Sequence, residues 1–428
     1  MINISIKPKK MMLFVVLLLS IFPSIKIGSF GMPVLYLFLP IGVLMFLTMI
    51  FGWTKVPRVI KYLLVLMVLI IIEIFLSAMI GTISNYGRFI FPTDIIQYVA
   101  RFLCFISFAI VFYYGKVDRD TFIKYFLIVL NIGMLIGLLQ WIPWLGRVFF
   151  IKLYPFRDGS LQLSQLNRSL GNLRMHGVAQ MATGNGGLAS FFFIFACSIY
   201  KYYKKHKKAS SLLMILSVVN IFASMARAGL LALVFGIFLF YILSMHINSK
   251  NLKPTLYMIL LILFVLGVSW VLYIRGNPFI EMTVFRWNRL FETKGGGRID
   301  QLKYFLSLFK NGYHYIFGLS KAFINKSEIS YGVEIEPLNI FVTYGVSGFI
   351  LQYSLILGLL IYFFKNINNA NNEKASLALL VSSFVGLFSY QVFSIGYYFF
   401  REIHVGLFPW ILMGVAIGVF EREKIESF

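Results

Sequence analysis

YLLVLMVLIIIEIFLSAMIGT, Tyr62 to Thr82, is a run of apolar residues broken by one formal charge, Glu73. At about 1.5 Å per residue, a helix of this length reaches across a hydrocarbon core of ~30 Å. Segments of the same kind recur along all 428 residues, of which 59% are hydrophobic and only 13% charged. A soluble domain of this size would carry roughly twice that charged fraction. The fold class expected is therefore all-α: a polytopic integral membrane protein, one transmembrane domain over residues 1–428. Cys104 and Cys197 fall inside predicted spans and do not suggest a disulfide framework. CxxC, HExxH and GxxxxGK[ST] patterns are absent, as is a large soluble domain. No cofactor, metal or nucleic-acid partner is expected.

Twelve spans are predicted, at about 11–25, 33–52, 62–82, 95–115, 124–145, 178–200, 211–225, 228–246, 255–275, 338–364, 375–396 and 404–420. The first, seventh and twelfth are short. The start, KPKKMMLFVVLLLSIFPSI, has the positive and apolar regions of a signal peptide but no small-residue cleavage site, and reads as an uncleaved first span. With the N-terminus cytoplasmic, Lys7, Lys9, Lys10, Lys55, Arg58, Lys61, Lys116, Arg119 and Lys124 fall on the inner side. So do KYYKKHKK, SKNLK, KNINNANNEK and the tail EREKIESF, in agreement with the positive-inside rule. Both termini are then cytoplasmic.

Arginines depart from that pattern. Arg88, Arg147, Arg157, Arg168, Arg174, Arg227, Arg275, Arg286, Arg289, Arg298 and Arg401 all fall outside, against Arg58, Arg119 and Arg422 inside. Topology selection does not favour cations on a translocated face. Arginine binds phosphate through two parallel N–H donors and stays charged at any relevant pH. Any one of these side chains could pair with a lipid headgroup. The set as a whole is better explained by an external site for a phosphate-bearing ligand.

Two external loops are large, at about 146–177 and 276–337. In the second, Ile299, Leu302, Phe305, Leu306 and Phe309 share one helical face, opposite Asp300, Lys303 and Lys310. That amphipathic helix should lie in the membrane interface or against the bundle. Gly295–Gly297 give it a flexible lead-in. The stretch SMARAGLLALVF, Ser224 to Phe235, becomes a tight external hairpin that carries Arg227 between small residues.

Four local patterns resemble the O-antigen polymerase (Wzy-type) and O-antigen ligase superfamily. RMHGVAQMATGNGGLASFF looks like its arginine–glycine–asparagine approach to a span, through Arg174, Gly177 and Asn185. SMARAGLLALVF is similar to its Ser-x-Ser-Arg start of a span, through Ser224 and Arg227, with Ala226 in place of the second serine. GGRIDQLKYFLSLFKNGYHYIFGLS resembles its arginine-led helix ending in an apolar-Gly turn, through Arg298 and Gly318. EIEPLNIFVTYGVSGFI is similar to its acid–x–His–Asn…Gly-x-x-Gly segment, through Glu336, Asn339, Gly345 and Gly348. Leu338 stands where the ligases carry histidine, a departure that favours a polymerase and leaves the base assignment open.

The resemblance implies glycan transfer from an undecaprenyl-pyrophosphate donor to a sugar hydroxyl of the acceptor, outside the cytoplasmic membrane. It also implies partners from one surface-glycan pathway, O-antigen or capsule: a chain-length regulator and a flippase, with membrane lipids around them. Charge develops on the leaving pyrophosphate as the C1–O bond breaks, and fixed cations there lower the barrier. No paired external carboxylates are evident for a metal, so Arg174, Arg227 and Arg298 are the expected clamp, with Arg289 and Arg401 next. Arg168, Arg275 and Arg286 read as structural or headgroup-facing. Candidate bases are Glu336 first, then Glu334, Asp300, His176, His314 and His404. Glu336 could equally pair with an arginine, and His176 could bond a loop carbonyl. Asn185 and Asn339 are candidate substrate-binding residues. Glu73 and Arg101, both deep in spans, are expected to form an ion pair; a relay is the rival reading. Phe285, Trp287, Tyr304, Tyr313, Tyr315, Tyr397 and Tyr398 suit interface anchoring or sugar stacking. A ligase, or a flippase of lipid-linked glycan, is the competing function. A flippase should carry charge along a central path, whereas here it gathers on one face.

Overall fold

The structure, a computed structural model, describes residues 8–27, 30–38, 42–44, 47, 56–155, 174–247, 253–292, 297–329, 332–370, 373–400 and 405–426. Arg157, Arg168, Gly295, Arg401 and His404 lie outside that set, as do the side chains of Arg286 and Arg289. The helices are α1 (Pro8–Leu19), α2 (Arg58–Tyr86), α3 (Ile95–Tyr113), α4 (Arg119–Trp141), α5 (Arg147–Leu153), α6 (Ala182–Ser198), α7 (Lys207–Ala223) and α8 (Arg227–His246). They continue with α9 (Lys253–Ile274), α10 (Pro278–Glu292), α11 (Arg298–Ser307), α12 (Gly312–Phe317), α13 (Lys321–Ile324), α14 (Glu336–Ile367), α15 (Lys374–Ser394) and α16 (Leu407–Glu426). A short antiparallel hairpin pairs β1 (Ile25–Ile27) with β2 (Phe30–Met32), Lys26 opposite Gly31.

Among the described residues, seven helices are long and apolar enough to cross a membrane: α2, α3, α4, α6 with its π-helical extension to Tyr203, α8, α14 with its extension to Ala370, and α15. Among the described residues α1 has 12, about 18 Å of helix, overlapping the expected first span of 11–25. α7 has 17 residues and α9 has 22. α16 carries Glu421, Arg422, Glu423 and Lys424 in its last turns. Of the expected span 33–52, the described part includes a 3-10 turn at Val34–Phe38.

α2 shows why this chain belongs in a bilayer. Its buried face holds Met67, Ile70, Glu73, Ser77 and Gly81, whereas Val65, Leu69, Ile72, Leu76, Met79 and Ile83 are exposed. The polar side chains turn inward and the apolar ones outward, the arrangement a hydrocarbon solvent selects. α6 lies at the centre. All of its residues but Thr183 are buried, as expected of a helix that is apolar all round. It packs on α7, α8 and α15, while α16 packs along α3.

Two ends can be told apart by their side chains. At one, Arg119 bonds Glu373 at 2.7 Å and pairs with Glu423, and Lys205 bonds Asp120 at 2.7 Å. We call this the lysine-rich end. At the other, α11, α12 and α13 build a cap with its own small core of Phe305, Leu319, Ile324, Val333 and Val342. Leu302 and Phe309 of the amphipathic segment pack on that core, so part of its apolar face is taken up by protein.

The cap is fastened to a break in α14. Gly345 has φ 67° and ψ −166°, a conformation essentially reserved for glycine, and a Cβ there would lie 2.1 Å from the Ile316 carbonyl oxygen. The carbonyls freed by the break accept hydrogen bonds from the cap: Leu319 N–H to Val342 O and Ser320 N–H to Thr343 O, each 2.9 Å. Gly318 (φ 76°) packs on the Thr343 backbone, and Gly81 of α2 lies against the Leu319 carbonyl.

The expected Glu73–Arg101 ion pair is not formed. Glu73 Oε1 accepts from Ser347 Oγ at 2.7 Å, beside the break, while Arg101 lies against Gly406. The reason is depth. α2 continues a full turn past the expected boundary to Tyr86, placing Glu73 thirteen residues, about 20 Å, from that end. Arg101 is six residues, about 9 Å, from the start of α3.

Candidate functional site

The hairpin SMARAG closes α7 and opens α8 within three residues. Met225 turns the chain with φ 50°, and Ala226 precedes Arg227, the first residue of α8. Small residues make this possible. A Cβ on Gly229 would lie 2.6 Å from the Gly186 carbonyl carbon, and one on Gly186 would lie 2.4 Å from Ala226 Cβ. α6 and α8 therefore touch backbone to backbone at the hairpin. A cation at a helix N-terminus opposes the helix dipole, so Arg227 gains from an anion nearby.

Arg174 enters from the opposite side. Its Nε donates to Ser224 O at 2.9 Å, capping the C-terminal end of α7, and Met175 N–H bonds Ala223 O at 2.9 Å. A second guanidinium is thereby held on the hairpin that carries the first. Arg298 opens α11 from the cap. Its Nη2 lies 3.2 Å from Gly396 O and 3.3 Å from Glu334 Oε2, and its buried Nε has no hydrogen-bond partner. Gly396 in turn packs on Ala228, next to Arg227. The charges of Arg298 and Glu334 both act on Arg227, which is also partly desolvated. Three expected arginines thus meet where the hairpin, the turn after α15 and the cap converge.

The carboxylate in contact with Arg298 is Glu334, whose charge also acts on Arg227. Glu336, placed first by the sequence, is 1% exposed, and its Oε1 accepts from Phe400 N–H at 2.6 Å, fixing the segment after α15. Asn339 is buried as well. Its Nδ2 donates to Val333 O at 2.7 Å and its Oδ1 accepts from Thr343 Oγ1 at 3.1 Å, so it positions the residue before Glu334. Asn185 faces the helix interior. Its Nδ2 bonds Asn220 Oδ1 at 3.0 Å, and Asn220 Nδ2 bonds Met134 O and Leu216 O. That network ties α4, α6 and α7 beneath the hairpin.

Both described histidine candidates of the capped end, His176 and His314, are internal. His176 Nε2 lies 2.9 Å from Tyr154 O, and burial pushes its pKa down to about 4 despite that bond. His314 accepts from Lys310 N–H on Nδ1 at 3.1 Å and meets Ser84 Oγ through Nε2 at 3.2 Å, joining the cap to α2. Burial, then the Lys310 charge, holds it below the ordinary histidine range. Asp300 lies on the exposed side of α11. Among the described residues, no three His, Cys, Asp or Glu side chains converge in a way that could hold a metal ion.

Sequence reading placed Glu334 after Glu336 and did not single out Asn220 or the Gly396 carbonyl. The signal for Glu334 is its place two residues before Glu336. A residue just outside a helix start can reach neighbouring charges, whereas the first helical residue here turns into the bundle. No protein-family model matches the chain, and no curated protein does either.

Proposed function

We propose that the chain is a glycosyltransferase that polymerises undecaprenyl-pyrophosphate-linked oligosaccharide repeat units at the outer face of the bacterial cytoplasmic membrane. The observation that carries this reading is the convergence of Arg174, Arg227 and Arg298 with Glu334 at the capped end of an apolar helical bundle. Twelve spans, both termini in the cytoplasm and an external cap complete the topology. The pyrophosphate of the donor lies against the guanidiniums, and its polyprenyl tail stays in lipid. The acceptor hydroxyl oxygen attacks C1 of the donor sugar, the C1–O bond to pyrophosphate breaks, and Glu334 takes the hydroxyl proton. Negative charge grows on the leaving pyrophosphate, where Arg174 and Arg298 are already fixed by backbone and carboxylate contacts. Leu338, in place of the ligase histidine, supports polymerase over ligase.

The test is to delete the gene and complement it with wild type, Arg227→Ala, Arg298→Ala or Glu334→Gln. Polymerase activity predicts single repeat units at the surface after deletion, long chains restored by wild type, and neither variant class restoring them while inserting normally. Repeat units trapped in the cytoplasmic leaflet would make the chain a flippase. Long lipid-linked polymer lacking its final acceptor would make it a ligase.

A further inference from the structure

A second site lies near the lysine-rich end, away from the arginines. A cavity of about 310 Å³ opens between α1 and α3, walled by Val16, Leu35, Leu103 and Phe108. Its volume is at the low end of ligand pockets, ~300–1,000 Å³. Two cations also line it: Lys9 in the first turn of α1, and Lys116 three residues past the end of α3. Both lysines are exposed. The wall contains one buried hydroxyl without a hydrogen-bond partner, Ser107 Oγ. It sits six residues, about 9 Å, up α3 from Tyr113. Gly42 leaves room beside it: a Cβ there would lie 3.1 Å from that oxygen.

We propose that this cavity holds one acyl chain of an anionic phospholipid from the leaflet at the lysine-rich end, with its phosphate between Lys9 and Lys116. An apolar slot selects a hydrocarbon chain, and two lysines at its mouth select negative charge. Their compact ammonium groups suit a headgroup of no fixed orientation. Ser107 is placed to donate to the ester carbonyl at the root of the chain. This site stands independently of the glycosyltransferase reading.

Native mass spectrometry of the full chain in detergent, with phosphatidylglycerol or phosphatidylcholine of equal chain length, tests it. The wild type should retain phosphatidylglycerol preferentially. The Lys9→Gln/Lys116→Gln double variant should lose about 30-fold of that preference, two lysines at about 1 kcal/mol each. Cys104 also lines the cavity. In a Cys197→Ser background, phosphatidylglycerol should slow its labelling by a maleimide, and Cys104→Trp should abolish lipid retention. If the tryptophan variant misfolds, the labelling rate remains the deciding measurement. Equal retention of the two lipids, unchanged preference in the double variant, or protection of Cys104 by inorganic phosphate alone would each overturn the proposal.

Discussion

Two glycines of α14 should respond to alanine with opposite signs. At Gly345 the backbone sits at φ 67° and ψ −166°, where any side chain costs about 1–3 kcal/mol in strain alone. The new Cβ would also lie 2.1 Å from the Ile316 carbonyl oxygen, so α12 must retreat. Retreat weakens the Leu319–Val342 and Ser320–Thr343 bonds, each worth about 1 kcal/mol when intact and more when a buried carbonyl is left bare. Gly345→Ala should therefore destabilise by roughly 3–5 kcal/mol. Gly358, in the same helix, has nothing within 4 Å of its Cβ position. Gly358→Ala should stabilise by about 0.5–1 kcal/mol through helix propensity. Thermal unfolding of both variants in detergent, followed by fluorescence-detected size exclusion, measures the contrast. If Gly345→Ala melts at or above the wild type, the cap is not fastened through the break and the account of α14 is wrong.

Other expectations follow from single contacts. His176 is neutral in both states above pH 6.5; as the pH falls toward 4, the unfolded chain takes up a proton the folded one refuses. Stability should therefore drop by roughly 3 kcal/mol over that window, and His176→Gln should flatten the pH dependence of the melting temperature. Glu336→Ala leaves the Phe400 N–H without its acceptor and should cost about 1–3 kcal/mol, while Glu336→Gln keeps an oxygen there and should cost less; denaturant titration of both would reveal the order. Arg298→Lys keeps the charge but cannot bridge Gly396 O and Glu334 together, so under the proposed polymerase function glycan length should fall well below wild type, and unchanged ladders on a gel would contradict the bridging role. Gly229→Val should drive α8 off α6 at the hairpin and lower the yield of folded protein in membranes.

The membrane character was legible because it depends on long apolar runs such as Tyr62–Thr82, and no tertiary knowledge is needed to read them. The motif glycines were legible as positions, but their purpose was not. Gly318 and Gly345 matter because two backbones cross there, and only the fold brings Ile316 and Thr343 to those points. Buried asparagines and site asparagines look alike in one dimension. Asn185 became a strut because Asn220 faces it from α7. Depth was the weakest inference: one extra turn at the end of α2 was enough to separate Glu73 from Arg101. The positions of the arginines were legible in one dimension, since Arg227 and Arg298 stand at helix starts and Arg174 beside a tight turn.

The stitching between cap and α14 also bears on how the proposed lipid-linked substrate would reach the arginines. Lifting the cap would strand the Val342 and Thr343 carbonyls, at about 1–3 kcal/mol apiece, and would pull Arg298 and Glu334 out of the cluster at the moment they are required. The cap is a ceiling rather than a door. On the proposed reading, a lipid-linked substrate would slip in edgewise, between helices and within the plane of the bilayer, its tail never leaving the hydrocarbon. Traffic would then be lateral, and the residues that set its rate would lie on the flanks of the bundle below the cap.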